Sequence, residues 1–215
     1  LRYDLSSPLS RFVAQNYREL PFPYKRYAIG NVWRNEKSGN ARYREFSQAD
    51  VDIIGNVNTS QADAEICNII VDTLIKCGLT QKEFKVSISN RKIVQGLINQ
   101  LKIFDKYQEL KVIRAIDKLD RIGIKGVEDL LKKERVDSSG AATKGANLSN
   151  DQASEVLNFL QISNLKDLKS VLKNALSTQG INEIQDLLEV ISYGKYTNLI
   201  QTNFAIVRGL EYYDG

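Results

Sequence analysis

The segment from Arg42 to Ile54 carries the residues best suited to chemistry. If it forms a β-strand, its side chains alternate between two faces. The even-numbered face would present two cations, one aromatic ring, an amide and two carboxylates, in this order: Arg42, Arg44, Phe46, Gln48, Asp50 and Asp52. This gradient suits a ligand that is anionic at one end, flat in the middle and cationic at the other, such as ATP joined to an amino acid. An ordinary half-solvated antiparallel strand is the alternative interpretation.

The composition limits how such a site could work. The chain has 215 residues, of which 42% are hydrophobic, enough for one large or two small domains with a real core. It contains no histidine, which excludes Ser-His and Cys-His catalysis and any histidine general base. Catalysis would therefore rest on electrostatics and positioning, with arginine, tyrosine, carboxylates and a bound cation available. The net charge of +4 permits nucleic-acid contact without requiring it.

The two cysteines, Cys67 and Cys77, fall in one predicted helix. At a rise of roughly 1.5 Å per residue they would lie about 15 Å apart, too far for a disulfide. With no histidine present, we expect no metal site built from protein ligands alone. A reducing, cytoplasmic compartment is favoured, and no run of apolar residues is long enough to predict a transmembrane helix. The lack of methionine and the first residue, Leu1, predict a fragment of a longer protein.

The flanking sequence places Arg42–Ile54 in a hairpin, followed by a helix and a third strand. The spacing of apolar and turn residues predicts these elements in order: a helix over 7–16, a strand over 27–34, a polar loop over 35–41, the return strand over 42–54, a helix opened by a capping-box-like Ser60-x-x-Asp63 and ended by Gly78, and a strand over 84–89.

From about residue 91 the pattern becomes helical. Asn90 is suited to cap the first helix, and Ser149-x-x-Gln152 to open a later one. Two further helices are predicted over 165–176 and 181–191. Residues 203–214 alternate and predict a strand. A helical block would thus separate two strand-rich pieces, which we expect to rejoin in one sheet.

Four stretches resemble the histidyl-tRNA synthetase family, a group of class II aminoacyl-tRNA synthetases. They are LRYDLSSPLSRF (1–12), the pair VWRNE (32–36) and RYREF (42–46) that resembles class II motif 2, QADVD (48–52) that resembles the histidine-reading strand, and VRGLEYY (207–213). The resemblance implies an α+β fold, with a class II antiparallel sheet flanked by helices and a mainly helical insertion domain. The implied domains are catalytic core at 1–90 and 199–215, and insertion at 91–198.

The same resemblance implies a reaction. In this family the carboxylate of histidine attacks the α-phosphate of ATP, pyrophosphate leaves, and the histidyl group then passes to tRNA(His). The implied catalytic residues are Arg34 and Arg208, on either side of the α-phosphate. The implied ATP-binding residues are Arg34, Glu36, Arg42 and Phe46. The implied histidine-binding residues are Asp4, Ser6, Gln48, Asp52, Arg208, Tyr212 and Tyr213.

The resemblance further implies ATP and Mg²⁺ as cofactors, histidine and tRNA(His) as partners, a homodimer for the full-length protein, and no membrane association. Motifs 1 and 3 and the anticodon-binding domain are not recognised, so we expect the fragment alone to be a weak or dead catalyst. One alternative is a non-catalytic regulatory subunit that binds histidine, disfavoured because Arg34, Arg42 and Arg208 are all present. The other is a nucleic-acid-binding module, but the lysines of the helical block alternate with acids, as on a solvated face.

Overall fold

The computed structural model describes residues 1–36, 39, 42–133, 135–136 and 142–207. The chain forms two compact units, Leu1–Ile66 and Cys67–Gly215. The architecture is α+β, as predicted. In chain order the described elements are α1 (Ser6–Asn16), β1 (Tyr24–Trp33), β2 (Glu45–Ile54), α2 (Thr59–Lys76), β3 (Val86–Ile88), α3 (Arg91–Gln100), α4 (Lys106–Ile116), α5 (Leu119–Lys132), β4 (Arg135–Val136), β5 (Ala142–Thr143), α6 (Asn150–Leu160), α7 (Leu165–Val171), α8 (Ala175–Ser192) and β6 (Ile200–Thr202).

The first unit is built on the antiparallel β1–β2 hairpin, whose register runs from Tyr24 opposite Ile54 to Trp33 opposite Glu45. Directly opposed residues of an antiparallel pair place their side chains on the same face. The even-numbered residues of both strands therefore share one face. Along β2, the even positions 46 to 52 are half-buried and the odd positions 45 to 51 are exposed. The predicted alternation is confirmed within the strand.

The start of the return strand differs from the prediction. It begins at Glu45, and the expected first residues, Arg42 to Arg44, lie before it. Arg42 instead exchanges backbone hydrogen bonds with Gly39, at 3.0 and 3.3 Å, so its peptide groups pair within the loop and not with β1. Arg42 and Arg44 are both exposed. Starting the strand at Arg42 was therefore wrong: Arg42 belongs to the loop, and Arg44, whose carbonyl accepts from Arg34 N at 2.9 Å, lies directly before the strand.

Local capping explains where several helices begin. Asn90 caps α3 as predicted, its side chain accepting a hydrogen bond from Lys92 N at 2.9 Å. The Ser149–Gln152 capping box is also confirmed, with both reciprocal hydrogen bonds formed. The predicted helix α2 is present and ends before Gly78, but its predicted cap was wrong, because the carboxamide of Asn58 accepts from Gln61 N at 3.0 Å and the helix already includes Ser60.

The helical block departs from the prediction at one break. Residues 165–176 form parts of two helices, because α7 ends at Val171 and Leu172 is extended. Asn174 then caps α8 by accepting a hydrogen bond from Ser177 N at 2.9 Å. α8 packs against α3, with buried isoleucine and leucine side chains on both helices. None of the helices described here has the combined length and apolar character that a bilayer-crossing segment requires.

A strand before the helical block pairs with one after it, but the expected single sheet does not form among the described residues, where β3–β6 and the β1–β2 hairpin are separate two-stranded sheets. β3 and β6 pair in parallel, with Val86 opposite Ile200 and Ile88 opposite Thr202. The prediction of a strand over 203–214 was wrong for residues 203–207. β6 ends at Thr202, and the Asn203 side chain accepts a hydrogen bond from Ala205 N in a local turn. Residues 208–214 of that prediction lie outside the described part of the chain. The division into core and insertion at residues 90 and 198 stays a prediction.

Candidate functional site

The N-terminal segment lies along the β1–β2 hairpin and is held there by its own main chain. Three of its carbonyl groups accept hydrogen bonds from groups of β1 or the residue that follows it: Arg2 O from Trp33 N at 2.9 Å, Tyr3 O from Arg34 Nε at 3.3 Å, and Leu5 O from Arg26 Nη2 at 3.1 Å. A methyl group on Gly30 would lie 2.5 Å from Arg2 Nη2, so a larger residue there would require the Arg2 side chain to move. These contacts bring Asp4 to the hairpin.

Arg34 follows β1 directly and is half-buried among predicted site residues. Its Nη2 donates to Gln48 Oε1 at 3.3 Å. Its guanidinium carbon lies 4.8 Å from the Tyr3 ring centroid and 5.1 Å from the Phe46 ring centroid. Both distances fall in the range of cation–π contacts. The Phe46 ring, which is predicted to stack on adenine, is therefore already in contact with the Arg34 guanidinium. An adenine base stacked on Phe46 would lie close to Arg34.

A second arginine, Arg26, pairs with the predicted histidine-binding carboxylate. Arg26 Nη2 lies 2.8 Å from Asp52 Oδ2, and the two side chains are 16% and 23% exposed. Despite this distance, Arg26 Nε and Asp52 Oδ2 are buried without a well-aligned hydrogen bond among the described residues. We interpret the contact as a close charge pair with poor hydrogen-bond angles. The sequence analysis missed Arg26, although hairpin register opposite Asp52 would have identified it.

Asp4 has a structural role in addition to its predicted one. It is 6% exposed, and its two oxygens accept from Ser7 N at 2.8 Å and Ser7 Oγ at 3.2 Å. The carboxylate therefore caps the first turn of α1. Ser6 is half-buried and is the first residue of that helix. Histidine binding by Asp4 and Ser6 stays a prediction.

The remaining predicted residues are spread more widely. Glu36 is half-buried just beyond β1, and Arg42 is exposed in the hairpin loop. Arg208, Tyr212 and Tyr213 lie outside the described residues. The structure thus brings together Arg34, Phe46 and Gln48 by direct contact, with Asp52 on the same face of β2. In the part of the chain that is described, no group of three or more acidic or thiol side chains could hold a metal ion.

An open cleft of about 570 Å³ lies beside this site, on α1 and the N-terminal segment. Its lining includes Arg2, Arg11 and Phe12, and shares only Asp4 with the predicted residues. We assign the candidate site to the even face of the hairpin, because the opposed charges, the amide and the aromatic ring are found there.

Known proteins match this chain over its full length. Residues 1–215 match the sequence model of the histidyl-tRNA synthetase family. The histidine–tRNA ligase of Pelagibacter ubique is 66% identical over 217 residues, which cover 100% of this chain and 46% of that protein. The histidine–tRNA ligase of Ruegeria pomeroyi is 42% identical and is covered to 45%. The chain thus spans a little under half the length of these relatives.

Solved structures show the same fold. The crystal structure of histidyl-tRNA synthetase from Nostoc sp. PCC 7120 matches with a TM-score of 0.79 and 25% identity, covering 99% of this chain and 47% of that one. A Bacillus halodurans protein described as an ATP phosphoribosyltransferase regulatory subunit/histidyl-tRNA synthetase matches with a TM-score of 0.76 and 22% identity, over 99% of this chain and 51% of that one. This second likeness concerns the fold alone.

Proposed function

Because the chain belongs to the histidyl-tRNA synthetase family, we propose that the full-length protein activates histidine with ATP and transfers the histidyl group to tRNA(His). In addition to family membership, one structural observation supports the proposal. The even face of the hairpin presents a half-buried guanidinium, Arg34, in contact with Gln48, and a carboxylate, Asp52, farther along the same strand. The cation suits the phosphate and carboxylate groups that must meet, and the amide and carboxylate suit an ammonium group.

The chemistry requires little more of the protein than alignment and charge stabilisation. A carboxylate oxygen of histidine forms a bond to the α-phosphorus, and the bond to pyrophosphate breaks with its electron pair leaving on pyrophosphate. The oxygen of the tRNA 3′-terminal hydroxyl then bonds to the adenylate carbonyl carbon, the hydroxyl proton is released, and the acyl–phosphate bond breaks with its electron pair leaving on AMP. Because the nucleophile belongs to the substrate in both steps, the protein needs no nucleophilic side chain. Arg34 would hold both anions through its planar guanidinium and stabilise the charge that grows on phosphorus.

The other assignments come from the family resemblance. Arg208 would act across the α-phosphate from Arg34, and the ATP-binding residues would be Arg34, Glu36, Arg42 and Phe46. Histidine would be bound by Asp4, Ser6, Gln48, Asp52, Arg208, Tyr212 and Tyr213. Mg²⁺ would accompany ATP, whose phosphate oxygens supply ligands of the kind that Mg²⁺ prefers.

We further propose that the full-length protein is a cytoplasmic homodimer and that residues 91–198 act as its insertion domain. A non-catalytic regulatory subunit that binds histidine is the competing proposal. The presence of Arg34, Arg42 and Arg208 favours the enzyme, because a subunit without catalysis has no need for phosphate-binding arginines.

Amino-acid-dependent ATP–pyrophosphate exchange tests the proposal. The full-length protein is assayed with each proteinogenic amino acid in turn, and we expect exchange with histidine alone. Histidine binding without exchange would instead support the regulatory subunit, and exchange with a different amino acid would overturn the substrate assignment. The isolated 215-residue chain serves as a comparison, for which we expect weak or no exchange.

A further inference from the structure

We propose that Arg26 is a positioning residue for substrate recognition: it fixes the Asp52 carboxylate and the N-terminal segment relative to each other. The inference rests on the proposed function, since it concerns the histidine-binding part of that site. Neither the sequence motifs nor the comparisons assign a role to Arg26. It lies on β1, while the residues it contacts belong to β2 and to the segment before α1.

One nitrogen atom makes both contacts. Arg26 Nη2 lies 2.8 Å from Asp52 Oδ2 and donates to Leu5 O at 3.1 Å. Leu5 stands between Asp4 and Ser6, the two predicted histidine-binding residues of the N-terminal segment. The guanidinium thus ties together the two pieces of chain that would surround the amino acid. A planar guanidinium can keep both contacts in fixed directions, whereas an ammonium group on a flexible stem does so less well.

The neighbouring residue provides a natural comparison. Lys25 pairs with Glu65 at 2.6 Å on the opposite face of the strand, and the two side chains are 49% and 42% exposed. Such exposed pairs contribute little. The Arg26–Asp52 pair is 16% and 23% exposed, so it is less screened by solvent. Losing one member of a shielded pair leaves the other charge poorly compensated.

Arg26 also controls where the carboxylate points. Asp52 Oδ2 is buried and has no well-aligned hydrogen bond among the described residues. Its only described polar contact is with Arg26. The carboxylate is therefore held chiefly by a nearby charge, and its orientation depends on the guanidinium. A substitution at Arg26 should therefore weaken the binding of the substrate groups that Asp52 recognises. It should not affect the binding of ATP, which is assigned to the other end of the hairpin around Arg34.

The test uses the full-length protein with Arg26→Lys, Arg26→Ala and the matched control Lys25→Ala, in histidine-dependent ATP–pyrophosphate exchange. We expect Arg26→Lys to raise the KM for histidine by about tenfold, a coupling typical of residues in contact. The KM for ATP should stay within about twofold, and Arg26→Ala should have the larger effect on histidine. Lys25→Ala should leave both KM values within about twofold, because its ion pair is exposed.

Two outcomes would overturn the inference. The first is an unchanged KM for histidine in a folded, active Arg26→Lys protein. The second is an equal rise in both KM values together with a fall in kcat, which would indicate general loosening of the hairpin. If the Arg26→Ala protein does not fold, the KM for histidine of the Arg26→Lys protein decides the test, because lysine keeps the positive charge. Absence of exchange in the unaltered protein would instead overturn the proposed function, and with it this role.

Discussion

Replacing Arg34 by alanine should abolish most adenylate formation without unfolding the protein. Arg34 is the one predicted catalytic residue whose surroundings are described, and its guanidinium contacts Gln48, Tyr3 and Phe46. Removing one preorganised group that stabilises transition-state charge costs about 2.7–4 kcal/mol, roughly a hundred- to a thousandfold in rate. We expect a loss of that size in the rate constant for adenylate formation at saturating histidine and ATP.

The effect on folding should be much smaller. The two described hydrogen bonds of the Arg34 guanidinium, to Tyr3 O and Gln48 Oε1, are both 3.3 Å long, and alanine keeps the main-chain bond from Arg34 N to Arg44 O. Long, half-buried hydrogen bonds and partly exposed cation–π contacts each contribute on the order of 1 kcal/mol or less. A domain stability of about 5–15 kcal/mol tolerates that loss. The activity should therefore fall while the cooperative unfolding transition is retained.

Single-turnover formation of histidyl-adenylate by the full-length protein measures the rate directly. Arg18→Ala is the matched control, because Arg18 is an exposed arginine beyond α1, and it should retain the rate of the unaltered protein. A folded Arg34→Ala protein with a near-normal rate would refute the reasoning. An equal loss in Arg18→Ala would show that the assay reports net charge and not the site.

Three further predictions concern other parts of the chain. Arg208→Ala should slow adenylate formation by roughly a hundred- to a thousandfold, measured by the same single-turnover assay, and a near-normal rate would remove its catalytic role. Asp4→Asn should leave the thermal unfolding midpoint nearly unchanged, because asparagine caps a helix about as well as aspartate. It should raise the KM for histidine about tenfold or more, as expected for losing a charge-assisted contact, and an unchanged KM would remove its histidine-binding role. Burial raises the pKa of Glu183, but hydrogen bonds from Lys92, Asn90 and Gln179 outweigh it and hold the pKa below its ordinary value near 4.5. That stabilisation is present above the unfolded pKa and is lost as the pH falls through the folded one. Urea unfolding should therefore show Glu183→Gln less stable than the unaltered protein at neutral pH, with the difference shrinking below about pH 4.5, and a difference independent of pH would contradict this.

Features set by local rules were predictable from the sequence. The alternation of residues 46 to 52 fixes which face of β2 is sheltered, and the Ser149–Gln152 capping box fixes the start of α6. In both cases a few neighbouring residues decide the outcome. The predicted site residues Arg34, Phe46 and Gln48 come together because Arg34 directly follows β1 and the even positions of β2 share one face.

Features that depend on competition between neighbours were not predictable. Gly39 pairs with Arg42 and removes it from the strand, Asn58 caps α2 in place of Ser60, and Asn174 starts a new helix inside an apparently continuous leucine pattern. The periodicity of apolar residues gives no information about such polar contacts. Arg26 was missed because its significance lies in the residue across the hairpin, which only the register reveals.

The most direct test of the site is a crystal structure of the full-length protein with histidinol and a non-hydrolysable ATP analogue. The α-phosphate should lie against the Arg34 guanidinium, and the ligand ammonium should lie between Gln48 and Asp52 on the even face of the hairpin. Both ligands bound in the α1 cleft or against the odd face, with Arg34 contacting neither, would contradict the account.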